Sequence, residues 1–130
     1  AIYTASGEMV LTNWSSAGVG AAILDISYLL LLSQMEKPEL PSIPPNEQAI
    51  AAVVRGYCQQ RTLTAHEHEV LLDAIRFGIA LYGAEHLPTI LHGQWRESAR
   101  LKTLQACYDV STDIASLATR CFEQELTHSS

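Results

Sequence analysis

The 130 residues predict a mainly α protein in which a short N-terminal β-hairpin is followed by a bundle of four to five helices. Three observations predict it. Two β-type runs, Ala1 to Ala5 and Met9 to Trp14, flank Ser6-Gly7-Glu8, and a glycine between two such runs permits the positive φ of a tight turn. From Ala21 onward the apolar residues recur at helical spacing. Hydrophobic residues make up 48% and charged residues 17% of the chain, which suffices for one packed core and carries no signature of disorder.

The elements follow in order. Ser15 to Gly20 reads as loop. Ala21 to Gln34 reads as a helix, apolar nearly all round and therefore expected to be buried on most sides. Its one charge, Asp25, is expected to be buried too, accepting backbone N–H groups from a nearby loop, because a buried carboxylate is costly without such partners. Pro38, Pro41, Pro44 and Pro45 exclude helix from Met35 to Pro45 and predict an extended linker. Helix resumes near Pro45, a good first-turn residue, and runs to about Gln60. Thr64 and Glu67 form a capping box, and the helix they start is expected to end near Tyr82, with Gly83 and Pro88 breaking it. Leu71, Ile75, Ile79 and Tyr82 mark its stripe, with Val70, Ala74, Phe77 and Leu81 beside. A shorter piece, about Thr89 to Glu97, leads into a last helix reaching about Glu125, with Leu101, Leu104, Tyr108, Ile114, Leu117 and Cys121 at near-heptad spacing.

The whole, 1–130, reads as one domain: hairpin and loop over 1–20, buried helix over 21–34, proline-rich linker over 35–45 and helical subdomain over 46–126. Two strands do not make a stable sheet alone, so the hairpin is expected to pack on the helices or on chain outside this sequence. The start at Ala1, already strand-like, is read as a fragment of a longer protein.

Composition excludes some partners. The net charge is −6 with eight scattered basic residues, whereas nucleic acid needs clustered Lys and Arg. The longest apolar run, Ala21 to Leu32, is shorter than the roughly 20 residues of a membrane span. Three cysteines, Cys58, Cys107 and Cys121, lie far apart without a C-x-x-C. They predict free buried thiols and a cytoplasmic setting. His66 and His68 sit about 200° apart on a helix and cannot share one ion. Asp109 and Asp113 share a helix face and Glu123 follows; they read either as a cation site or as a solvated face. Trp95 reads either as a stacking platform or as the edge of the core.

One stretch is more specific. Strand, then Asn13-Trp14, then Ala17-Gly18-Val19-Gly20, then Ile23-Leu24-Asp25-Ile26-Ser27-Tyr28-Leu29 resembles the aminoglycoside phosphotransferase and choline kinase family of protein-kinase-like enzymes. The family pattern runs roughly I-D-W/F-E-x-A-G-x-G-D-P-x-x-D-L-A. The resemblance implies part of a kinase-like C-lobe, with residues 1–20 as hairpin and metal-side loop. In the complete protein it implies an ATP- and Mg²⁺-dependent transfer of phosphate to a hydroxyl of a small substrate. It puts the family's metal-binding aspartate at Asn13, which keeps a carbonyl ligand but loses the charge that hard Mg²⁺ prefers. It gives Asp25 the support of the catalytic loop. The family's H-x-D-x-x-x-x-N loop and its ATP-binding lobe are absent from these residues, as is G-D-P after Gly20. No activity and no tight ATP or Mg²⁺ binding are therefore expected of this chain by itself. Trp95, Asp109, Asp113 and Glu123 are the candidates for a cationic substrate. The alternative is a degenerate, non-catalytic interaction or scaffold module, pairing as a homodimer or with a missing N-lobe through the hairpin and the first helix.

Overall fold

The computed structural model describes residues 2–10, 18–37, 40–91 and 99–128. Strands β1 (Ile2–Tyr3) and β2 (Met9–Val10) pair antiparallel, with Ile2 opposite Val10 and Tyr3 opposite Met9. Gly7 turns the hairpin at φ 82°, a backbone that a Cβ disfavours. Thr4 closes the turn by accepting the Gly7 N–H at 2.9 Å. Every described hairpin residue is exposed.

Helix α1 (Ala22–Leu32) buries Ile23, Ile26, Ser27, Leu30 and Leu31. Burial on most sides is not what it has: Leu24, Tyr28, Leu29 and Leu32 remain 38%, 48%, 51% and 46% exposed. The helix meets α3 along one stripe and leaves the rest of its apolar surface uncovered. The stretch expected to be a plain extended linker holds a second strand pair, β3 (Met35–Lys37) and β4 (Leu40–Pro41), with Met35 opposite Pro41. β4 packs against α4 (Ala99–His128), and Pro41 is buried.

Gln34 joins these parts. Its side chain is fully buried. Its Oε1 accepts the Asn46 N–H at 2.6 Å, and its Nε2 donates to the Asn46 carbonyl at 3.3 Å and to Ser33 Oγ at 2.9 Å. The Gln34 carbonyl accepts the Ser42 N–H at 2.6 Å. Asn46 is itself the N-cap of α2 (Glu47–Cys58), its Oδ1 accepting from the Ala49 N–H at 3.1 Å. The helix therefore starts after Pro45 rather than on it, because asparagine satisfies a free first-turn donor and proline does not.

Helix α3 (Ala65–Leu91) runs unbroken past Gly83 and Pro88; of the separate piece expected over Thr89 to Glu97, residues 89–91 belong to α3 instead, and the rest lies outside the described residues. A proline removes one helical hydrogen bond, and α3, which packs on α4, continues past it. A Cβ on Gly83 would stand 3.3 Å from Leu104 Cδ1, so the glycine brings α4 close instead of ending α3. The α4 register also differs from the near-heptad expectation. Thr103, Cys107, Val110, Ile114, Ala118 and Phe122 are buried, while Leu101 and Tyr108 are 53% and 49% exposed. On α3, Leu71, Ala74, Ile75 and Ile79 are buried, but Phe77 and Leu81 face solvent.

The core lies where α4 crosses α2 and α3. Phe122 is its largest fully buried side chain, with Tyr57 and His68 edge-on to its ring at 6.1 Å and 5.6 Å between centroids. Replacing Gln34 by leucine strands the Asn46 N–H and carbonyl. Since an unsatisfied buried polar group costs about 1–3 kcal/mol, urea denaturation of Gln34→Leu should show a loss of that size. The exposed Gln59→Leu should change stability by less than about 0.5 kcal/mol. Equal midpoints for the two variants would remove Gln34 from its joining role.

Candidate functional site

The segment that suggested chemistry is only partly described. β2 leads toward it and Gly18–Ala21 leads out of it into α1, in the expected order. Asn13 and Trp14 lie outside the described residues, as does Trp95. Gly18 and Gly20 do not take the positive φ that would demand glycine; among the described residues Gly7 alone does.

Asp25 is exposed, in the first turn of α1, which corrects its expected burial. Among the described residues no backbone N–H reaches it. The physical reason is the one-sided packing of α1: the buried stripe runs through Ile23, Ile26 and Leu30, and Asp25 points away from it. A carboxylate in the first turn faces the positive end of the helix dipole and needs no buried cage.

Asp25 nonetheless sits near other charged groups, at an end of the bundle that the sequence did not single out. Its carboxylate acts on the Tyr57 phenol at the C-terminal end of α2. Burial pushes that phenol above its ordinary range, the Arg61 guanidinium opposes the shift, and Glu67 and Asp25 add to it. The Tyr57 hydroxyl is buried and makes no hydrogen bond among the described residues. Arg61 lies 5.8 Å from the Tyr57 ring centroid and forks onto Glu67, with Nη2 at 3.0 Å and 2.9 Å from the two carboxylate oxygens.

The predicted capping box completes this end. Glu67 accepts the Thr64 N–H at 2.8 Å and donates its own N–H to Thr64 Oγ1 at 3.2 Å. The Thr64 N–H holds the Glu67 carboxyl below the usual carboxylate range, with Arg61 helping and partial desolvation opposing. The box was legible from Thr64-x-x-Glu67. Arg61 and Tyr57 were missed because they belong to the turn before it and the helix before that.

The acids of α4 form a solvated face. Asp109, Asp113 and Glu123 are all exposed, with Gln105 Nε2 donating to Asp109 Oδ1 at 2.8 Å. Arg76 of α3 does not neutralise them. Its guanidinium lies 4.6 Å from the Tyr108 ring centroid and donates to Ser111 Oγ at 3.2 Å and Thr112 Oγ1 at 3.3 Å, a clasp between α3 and α4. Glu123 borders an open groove with His68, Glu69 and Arg120.

Among the described residues no three His, Cys, Asp or Glu side chains gather closely enough to hold a metal ion. His66 turns to Glu69 at 3.6 Å and His68 to Phe122, so the two histidines part as helical geometry requires. Cys107 is buried, Cys58 and Cys121 half-buried, and all three are free. Burial pushes each thiol upward, so they stay protonated at neutral pH and are poor nucleophiles. Among the described residues no helix is long and apolar enough to cross a membrane.

Comparison with protein-family models, with curated proteins and with solved structures finds no match to the chain.

The lowered Glu67 carboxyl has a defined pH signature. Its ionised form is favoured in the folded state, so the stability it adds is fully present above the unfolded carboxyl value of about 4.3. That stability disappears as pH falls through the lower folded value. Thermal melts of wild type and Glu67→Gln should differ most at pH 6–7 and converge toward pH 3. A gap that stays constant down to pH 3 would mean that the carboxylate charge plays no part.

Proposed function

We propose that these residues form part of the C-terminal lobe of an ATP-dependent phosphotransferase-like protein acting on a hydroxyl of a small substrate. One observation carries the reading: β2, the glycine-containing connection and α1 occur in the order that the resemblance over residues 9–30 requires. The antiparallel pair of α3 and α4 is compatible with the helical part of such a lobe. The exposed acids Asp109, Asp113 and Glu123 favour a cationic substrate, and three protonated thiols suit a cytoplasmic setting. In this reading Asn13 stands where the family carries its metal carboxylate, and Asp25 and Tyr57 form the surface on which the catalytic loop rests.

The reading makes two linked demands. The codons preceding Ala1 should encode H-x-D-x-x-x-x-N immediately upstream, and any other sequence there defeats it. In a polypeptide that carries that loop and the ATP-binding lobe, Asn13→Asp restores a carboxylate for Mg²⁺. Changes one shell further out alter metal affinity 10–100-fold, so calorimetry should find Mg-ATP bound at least about tenfold tighter by the variant. Equal affinity for both would take Asn13 out of the metal site.

A second reading, a non-catalytic interaction module, is favoured by the uncovered apolar surface of α1 and by a hairpin exposed on both strands. It predicts self-association through α1. Sedimentation velocity should show the 130-residue chain shifting to a dimer as concentration rises, and Leu29→Arg should keep it monomeric. A chain that is monomeric throughout removes the homodimer form of this reading.

A further inference from the structure

Between α1, α3 and α4 lies a pocket of about 260 Å³. We propose that it is a binding site for a small uncharged molecule of about two fused aromatic or alicyclic rings. The acids of the phosphotransferase reading, Asp25, Asp109, Asp113 and Glu123, take no part in lining it.

Gly78 stands inside α3 and lines the pocket. Glycine inside a helix is less favourable than alanine by about 1 kcal/mol. A common compensation is close packing where a Cβ would clash, but a Cβ built on Gly78 meets nothing within 4 Å. The space it leaves opens into the pocket. Gly83, one and a half turns on, shows the opposite case, with Leu104 pressed against it. Two glycines of one helix thus do different things: one closes the α3–α4 contact, and the other leaves room next to it.

The lining decides the chemistry of the occupant. Leu31, Leu32, Ile79 and Leu104 supply aliphatic walls, and Met35 adds an adaptable thioether. Tyr28 and Tyr82 add phenol rings, and the remaining polar side chains are Thr103 and Cys107. Thr103 Oγ1 donates to the Ala99 carbonyl at 2.8 Å, and burial keeps the Cys107 thiol protonated. A charged ligand would lose its water here and find no opposite charge among the lining residues. A purely apolar one loses nothing. Tyr28 and Leu32, each about half exposed, stand at the rim, so the pocket is reached from solvent past them.

Size narrows the class. An apolar protein cavity of about 150 Å³ stays dry and takes up benzene. The pocket is larger than that by a factor of about 1.7, which suits two fused rings rather than one and is too small for a drug-sized ligand.

Naphthalene is the probe, added to the purified 130-residue chain. Saturable binding is expected, with amide shifts concentrated at Gly78, Thr103 and Cys107 in two-dimensional NMR. Naphthalene-2-sulfonate should bind at least tenfold more weakly. Gly78→Leu fills the space and should weaken naphthalene binding at least tenfold. Gly78→Ala, which fits the backbone and the open space, should retain the fold with a raised Tm and weaken binding by a smaller factor. The inference is overturned by non-saturable uptake, by shifts centred on Leu24, Leu29 and the hairpin, or by naphthalene affinity unchanged in Gly78→Ala and Gly78→Leu. The wild-type shift pattern decides the matter even if Gly78→Leu fails to fold.

Discussion

The arrangement of the helices depends on one buried amide. Gln34 stands just past the end of α1 and holds both backbone groups of Asn46, the residue that caps α2. Eleven residues, four of them proline, lie between the two, and beyond the short β3–β4 pair they have few backbone donors with which to fix their own course. Gln34 supplies what that stretch lacks. Each donor and acceptor of its side chain is used, so the cost of burying it is offset in full, as a buried polar network requires. With the end of α1 tied to the start of α2, α1 is directed along α3 while α2 lies along α4. The core around Phe122, Ile114 and Val54 forms between pairs already oriented.

What could be read from the sequence were features decided locally. Gly7 between two β-type runs, the Thr64 and Glu67 box, and the span of α1 each depend on residues within one turn of one another. What could not be read was decided by contacts across the chain. Gly83 and Pro88 carry the local signature of a helix end, yet Leu104 packs on Gly83 and α3 continues. The α4 register slipped for a related reason. Its large residues, Leu101 and Tyr108, look like core but partner solvent and Arg76, whereas the small ones, Thr103, Cys107 and Ala118, face α2 and α3. Close helix packing favours small residues at the contact, and a count of large apolar residues overlooks them. Asp25 departs from expectation for the same kind of reason: an apolar helix is not of necessity covered on every side, and its one charge lies on the uncovered part. Of the candidate site, the acids of α4 were placed on a helix face as expected, while Tyr57 and Arg61 became visible only once three helix ends met.

The mismatch at α1 has the widest consequences. The helix is apolar nearly all round, but one stripe alone is covered. Leu24, Tyr28, Leu29 and Leu32 at about half exposure, with Phe77 and Leu81 on the neighbouring helix, make a larger apolar surface than singly scattered residues would. Both functional readings need this surface. A kinase-like lobe needs something to bear on the hairpin and on the front of α1, and an interaction module needs a face to present.

The two ends of α1 differ in chemistry, and that difference divides the molecule. Its N-terminal end gathers charge: Asp25 bears on the buried Tyr57 phenol, and Arg61 and Glu67 are locked to each other beside it. Glu67 serves both the Thr64 cap and Arg61, so losing its carboxylate would cost the helix start as well as an ion pair. At the C-terminal end Leu31, Leu32 and Met35 line the pocket beside Gly78, and none of the pocket's lining residues is charged. A group that seeks charge is directed to the first end and an apolar ligand to the second. A single eleven-residue helix, held at Gln34 by its own C-terminal flank, therefore sets the position of both.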